Sequence, residues 1–175
     1  MKFSETTLAD AWLVDLEPIA DNRGFFARSW CQREAAEHGI DVDWVQCNVS
    51  FNAQRGTLRG MHWQAPDSEA KLVRVTRGAI LDVIVDIRPG SPTFKSHFSA
   101  ELTDTNRRAL FVPEGFAHGF VTLADDTEVF YQMSAYFVPA QARGFRYDDP
   151  EIGIHWPDGP RIVSDRDAAL PGFAS

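Results

Sequence analysis

The sequence predicts an all-β protein, a double-sheet jelly roll with a few short helices. Apolar residues alternate with period two through the middle of the chain. Turn-forming clusters punctuate that alternation at near-regular spacing, and helical periodicity is almost absent. The one helix signal lies at residues 29–38, where Ser29 and Gln32 form an S-x-x-Q capping box and Gly39 stands at the stop position. Residues 79–87 put Ala79, Leu81, Val83, Val85 and Ile87 on one face and Asp82 and Asp86 on the other, the pattern of a half-buried strand. Residues 94–102 repeat it, with Phe94, Phe98, Ala100 and Leu102 opposed by Lys95, His97 and Glu101. Residues 127–135 place Val129, Tyr131 and Met133 together, and a single turn of helix fits residues 139–143. Arg77-Gly78, the Arg88-Pro89-Gly90-Ser91-Pro92 run, Asp104-Thr105-Asn106 and Asp125-Asp126 separate these strands. A jelly roll closes such strands into two sheets, hides their edges and leaves a cavity suited to a ligand.

Size and composition narrow the function. The 175 residues fit one domain, expected to span residues 1–175. A 44% hydrophobic and 24% charged composition excludes a disordered chain. Seventeen basic and 25 acidic side chains give a net charge of −8, which argues against nucleic acid or an anionic membrane as partner. No apolar run approaches the roughly 20 residues of a membrane helix, and MKFSETTLAD lacks the core of a signal peptide, so a cytoplasmic location is expected. Without an export signal, Cys31 and Cys47 read as reduced thiols.

Two of the five histidines stand out. His62 lies in Gly56-Thr57-Leu58-Arg59-Gly60-Met61-His62-Trp63-Gln64, and His118 lies in Pro113-Glu114-Gly115-Phe116-Ala117-His118-Gly119-Phe120, where proline and glycines mark a tight turn able to aim a side chain inward. Each alone reads as structural as readily as functional. Together, in glycine-punctuated segments of one sheet pair, they define a site. His38 reads as a helix cap or solvent residue and His97 as an exposed strand residue. The second segment resembles the second motif of the cupin superfamily. The first has no His-x-His pair and no nearby glutamate, so three ligands do not converge and neither a metal nor another cofactor is expected. Acid–base chemistry is then expected, with a histidine as base and inward-facing Tyr131 as acid or as a hydrogen-bonded core aromatic. Lys71 is an ordinary lysine by itself; beside a developing enolate it would stabilise the negative charge.

The motifs as a set resemble the dTDP-4-dehydrorhamnose 3,5-epimerase family of cupin-fold sugar-nucleotide epimerases. They are Asp21-Asn22-Arg23-Gly24-Phe25-Phe26, Gln46-Cys47-Asn48-Val49-Ser50, the segment from Gly56 to Gln64, Ala70-Lys71-Leu72-Val73-Arg74-Val75, Asp86-Ile87-Arg88, Gly90-Ser91-Pro92-Thr93, the segment from Val112 to Phe120, Asp148-Asp149-Pro150 and Ser164-Asp165-Arg166-Asp167. They run in order through nearly the whole chain.

The resemblance implies a nucleotide-diphospho-4-keto-6-deoxy sugar as substrate, whose C4 ketone acidifies the hydrogens on C3 and C5. It assigns His62 as the base, Asp167 as its orienting acid, Tyr131 as the acid on the opposite face and Lys71 as the enolate's partner. Substrate contacts carry over to Arg23, Phe26, Arg28, Gln46, Asn48, Arg59, His118 and Arg166, and a homodimer whose N-terminal segment packs on its partner is implied. The chain departs from the family's usual pattern at Arg28 and Ala142, both usually Glu, at Gln132, usually Lys, at Tyr147, usually Trp, and at Arg166, usually Lys. The first two predict an altered substrate preference, with dTDP as the default nucleotide. The alternatives are a 3- or 5-monoepimerase, an epimerase of another nucleotide sugar, a metal-dependent cupin oxygenase, and a cupin that only binds a sugar nucleotide.

Overall fold

A computed structural model describes residues 1–173. Its elements are β1 (Lys2–Glu5), β2 (Trp12–Asp15), β3 (Ile19–Asp21), β4 (Gly24–Phe26), α1 (Gln32–Ala36), β5 (Gln46–Asn52), β6 (Thr57–Gln64), β7 (Lys71–Arg77), β8 (Ala79–Asp86), β9 (His97–Thr103), β10 (Ala109–Val112), β11 (Phe116–Thr122), β12 (Thr127–Met133), β13 (Ala142–Gly144), β14 (Ile162–Val163) and α2 (Asp165–Ala168). One sheet runs β1-β2-β10-β7-β12-β5 and the other β13-β6-β11-β8-β9, with β14 added parallel to β6. Apart from β14, the strands in both pair antiparallel. This is the predicted double-sheet jelly roll.

Apolar residues of both sheets meet between them. Val73, Val75, Leu110 and Val129 come from the first sheet, and Ile80, Ile84, Leu102, Phe116 and Phe120 from the second. Each sheet is also covered on its outer face. Ala35 of α1 packs with Leu72 and Phe111 against Trp30 and Trp44. Phe145 and Ile152 pack with Met61, Val83, Val85 and Ala117. Central strands are therefore apolar on both sides, and every residue of β11 is buried.

This double burial corrects the reading of β8 as a half-buried strand. Asp82 and Asp86 lie opposite Val83 and Val85 as the alternation requires, yet both are fully buried. Each has a partner that makes burial tolerable. Asp82 is bonded to His118 at 2.7 Å. Asp86 accepts from the Arg88 guanidinium at 3.0 and 2.9 Å and from the Thr93 hydroxyl at 2.7 Å. That clamp also explains why β9 begins at His97 rather than Phe94. Lys95 N donates to Asp86 O and Asp86 N to Ser96 O, closing residues 86–96 into a turn with Lys95 at a positive φ.

Burial pushes the Asp86 carboxyl up, but its bonds to Arg88, Ser91 and Thr93 outweigh this and bring it from 3.8 down to about 2. Its ionised form is thus favoured by the fold. The stabilisation is complete above about pH 4 and is lost as pH falls through about 2. Asp86→Ala is expected to cost about 3 kcal/mol, read as a lower urea midpoint at pH 7. A midpoint equal to wild type would show that the clamp contributes nothing.

The helix is shorter than predicted. It starts at Gln32 with Cys31 as N-cap and no side-chain cap, so the Ser29–Gln32 box does not form. Ser29 O instead accepts from Arg74, and Trp30 packs edge-on against Trp44, which keeps the chain extended up to Cys31. The chain leaves α1 through Gly39, at φ +75°. His38 is not a solvent residue: it stacks on Phe3 with ring centroids 4.4 Å apart. The predicted turn near residue 140 is a 3-10 helix at Pro139–Gln141. Lys71 opens β7. Cys31 and Cys47 are both free thiols.

A cavity with two backed histidines

The site follows from one irregularity in the second sheet. Along β6 and β11, His62 pairs with His118 but Arg59 pairs with Phe120, so β6 carries an extra residue there. The bulge requires glycine on both strands. A Cβ on Gly60 would lie 2.6 Å from Gly119 Cα, and one on Gly119 2.9 Å from Arg59 O. In a regular strand Arg59 and His62, three apart, would face opposite sides. Across the bulge both line the same cavity, as does His118.

The cavity has a volume of about 600 Å³ and is walled by both sheets and α2. Of the residues assigned from the sequence, it gathers His62, Tyr131, Asp167, Lys71, Gln46, Asn48, Arg59, His118 and Arg166. Asp167 arrives from far along the chain. Ser164 caps α2, its hydroxyl accepting from Asp167 N at 3.1 Å, and the short helix turns the carboxylate onto β6. There Asp167 Oδ1 meets His62 Nε2 at 2.7 Å, and Oδ2 accepts from Gly60 N at 3.3 Å. Burial raises the Asp167 carboxyl, but the His62 bond and charge, the Gly60 N–H and the Arg166 charge outweigh it and hold it below the ordinary value. With Nε2 engaged, His62 Nδ1 is the ring nitrogen left to take a proton.

The opposite wall comes from the first sheet. Tyr131 on β12 lies between Asn48 on β5 and Val73 on β7, and its ring packs on the core between the sheets. Burial raises its hydroxyl's pKa, the Arg59 charge pulls it back, and the Glu69 carboxylate pushes it up; the net effect is upward. The phenol is therefore protonated at neutral pH, as an acid must be. Lys71 Nζ lies 2.6 Å from Glu69 Oε1, with both side chains buried. Arg59 is oriented by its Nε donating to Asn52 at 2.8 Å. With Lys71, Arg143 and Arg166 it makes the lining locally cationic in an acidic protein, which suits a diphosphate.

Arg23, Phe26 and Arg28 do not reach this cavity within the chain. Arg23 and Phe26 sit on the exposed β3–β4 hairpin, Phe26 at 73% exposure, and Arg23 pairs with Asp21. Arg28 is exposed and pairs with Glu34. Of the other departures from the family pattern, Ala142 lines the cavity and Tyr147 packs edge-on against Trp156.

The sequence reading missed three groups. Glu69 lies at the end of a bend-rich segment that reads as a polar loop. Asp82, which backs His118, reads as a solvated strand residue. Phe137, half exposed at the cavity, follows β12 in a segment with no pattern of its own. Among the described residues no three His, Cys, Asp or Glu side chains converge on a point. His62 and His118 each engage one ring nitrogen with an aspartate instead.

A sequence profile of the family described as dTDP-4-dehydrorhamnose 3,5-epimerase matches residues 5–175. The protein of that name from Sinorhizobium fredii is 42% identical over 99% of this chain and 90% of its own length. The crystal structure of the Bacillus anthracis dTDP-4-dehydrorhamnose 3,5-epimerase with TDP and PPi bound superposes with a TM-score of 0.94. It is 42% identical and covers 98% of this chain and 99% of that one. A 3'-monoepimerase from Streptomyces bikiniensis, in complex with dTDP-quinovose, superposes at 0.87 with 32% identity, covering 95% and 85% of the two chains. Fold, cavity and relatives together define a sugar-nucleotide epimerase built on a cupin-type jelly roll. The profile match and these identities extend through nearly the whole chain. It belongs to the dTDP-4-dehydrorhamnose 3,5-epimerase family.

Proposed function

We propose that the protein inverts both C3 and C5 of a dTDP-linked 4-keto-6-deoxy sugar, and that it does so without a metal. One observation carries the reading: a histidine backed by a buried aspartate and a protonated tyrosine stand on opposite sheets across one cavity. Inversion needs that arrangement, because a proton must leave one face of a flat enolate and return to the other. His62 Nδ1 takes the proton from C3 or C5. The C–H electron pair forms the carbon–carbon double bond, and the carbonyl pair moves onto the C4 oxygen, where the Lys71 ammonium donates to it. Asp167 stabilises the imidazolium. The enolate then collapses back to the ketone while Tyr131 delivers its phenolic proton to the opposite face. Imidazolium and tyrosinate reset by proton exchange with water, and a second round inverts the other carbon.

Binding falls to Arg59 and Arg166 for the diphosphate and to Gln46 and Asn48 for polar edges, while Phe137 offers an aromatic face to a nucleobase. A homodimer completes the site. Ile19, Phe25 and Phe26 of the hairpin and Val49 and Phe51 of the edge strand β5 are all more than 40% exposed, an apolar surface suited to a second copy. The hairpin then carries Arg23 and Phe26 to the partner's cavity.

The reading is tested by incubating the enzyme with dTDP-4-keto-6-deoxyglucose in D2O and locating deuterium by NMR. Label at both C3 and C5, unchanged in excess EDTA, is expected. Label at one carbon only gives the monoepimerase. Activity that dies on chelation removes the metal-independent mechanism.

A further inference from the structure

We propose that Glu69 is a positioning residue of the reaction, its buried carboxylate holding the Lys71 ammonium at the cavity wall and linking it to the chain segment that bears Phe137. The inference rests on the epimerase reading, since Lys71 acts there on the C4 oxygen. Glu69 Oε1 lies 2.6 Å from Lys71 Nζ, and the two side chains are only 4% and 9% exposed. A buried ammonium with three donors would otherwise be free to rotate toward any acceptor. Paired with Glu69, it is held at the cavity wall, where the C4 oxygen becomes an oxyanion.

The other carboxylate oxygen, Oε2, accepts from Gln64 N at 3.2 Å. The Gln64 side chain in turn grips the segment after β12, donating to Tyr136 O at 3.2 Å and accepting from Val138 N at 2.6 Å. Phe137, between those two residues, lines the cavity. One carboxylate thus couples the cation that meets the sugar to the segment at the cavity's edge.

Glu69 also acts on Tyr131 through charge. The charged and titratable groups lining the cavity with Tyr131 are Arg59 and His62 from β6, Glu69 just before β7 and Lys71 at its start, His118 from β11, Arg143 from β13, and Arg166 and Asp167 from α2. Among them the Glu69 carboxylate favours the protonated phenol, and Arg59 opposes it.

The test compares Glu69→Gln and Glu69→Asp with wild type. Glu69→Gln keeps an acceptor for Lys71 but removes the charge. Its kcat is expected to fall about tenfold or more, the lower range for loss of a close charge pair. KM should change less than about threefold, since the interaction matters most when the enolate forms. The alkaline limb of its kcat–pH profile should move to lower pH, because Tyr131 loses the charge that kept its proton. Glu69→Asp keeps the charge but shortens the reach, so kcat should fall while the alkaline limb stays in place. If Glu69→Gln does not fold, Glu69→Asp carries the test alone. Variants that lower only the melting temperature, with kcat, KM and pH profile as in wild type, would overturn the proposal. So would a rise in KM with kcat unchanged. Either result leaves the epimerase reading intact, which fails separately if wild type incorporates no deuterium.

Discussion

His62→Ala is expected to lower turnover by at least about a hundredfold, the lower range for loss of a general base. Nothing else in the cavity replaces it. His118 is the other histidine there, and it pairs with His62 across the strands, but its side chain is 10% exposed against 39% for His62. It stands further back in the wall. The fold should survive the change, because His62 is partly open and the core on that sheet is built from Met61, Val83, Val85 and Phe145 instead. Asp167 retains its Gly60 N–H bond, so the carboxylate is not left without a partner. The measurement is kcat and deuterium uptake on protein whose circular dichroism and dTDP binding match wild type. A variant that turns over at the wild-type rate would remove His62 from the mechanism.

The fold was legible where the chain's own periodicity carries the burial. Val129, Tyr131 and Met133 face inward as alternation requires, and the turns fall at the Gly, Pro and Asp clusters. It was illegible where tertiary partners override local preference. Asp82 and Asp86 look like the wet face of β8, because alternation records polarity and cannot tell a paired, buried carboxylate from a solvated one. The capping box at Ser29 is a sound local signal, but Arg74 and Trp44 claim that stretch of backbone and side chain first.

The site divides in a similar way. His62 and His118 announced themselves through glycine-rich context, and the structure supplies the reason: Gly60 and Gly119 permit the bulge that turns Arg59 and His62 to one side. Asp167 could be assigned only through family resemblance, since it meets His62 across 105 residues of chain. Glu69 had no signal of either kind. Its importance comes from a contact with Lys71 two residues away, in a segment whose bends bring both side chains into the wall. Arg28 departs from the family pattern and pairs with Glu34 in its own chain.

Tyr131→Phe is expected to separate proton removal from inversion. The ring packs on the apolar core between the sheets, and phenylalanine keeps that packing. Only the hydroxyl, raised in pKa by burial and so protonated at neutral pH, is deleted. His62 with Asp167 can still take a proton from carbon, and Lys71 can still meet the enolate. The imidazolium exchanges its proton with solvent and returns a deuteron to the face the proton left, so deuterium enters without inversion. Net epimerisation should fall about a hundredfold or more, the effect of losing a general acid, while deuterium wash-in falls much less. Following both in one NMR time course gives their ratio directly, independent of enzyme concentration. If wash-in and inversion decline together, Tyr131 acts before the enolate forms, or only as part of the wall, and the opposite-face acid must be another group lining the cavity.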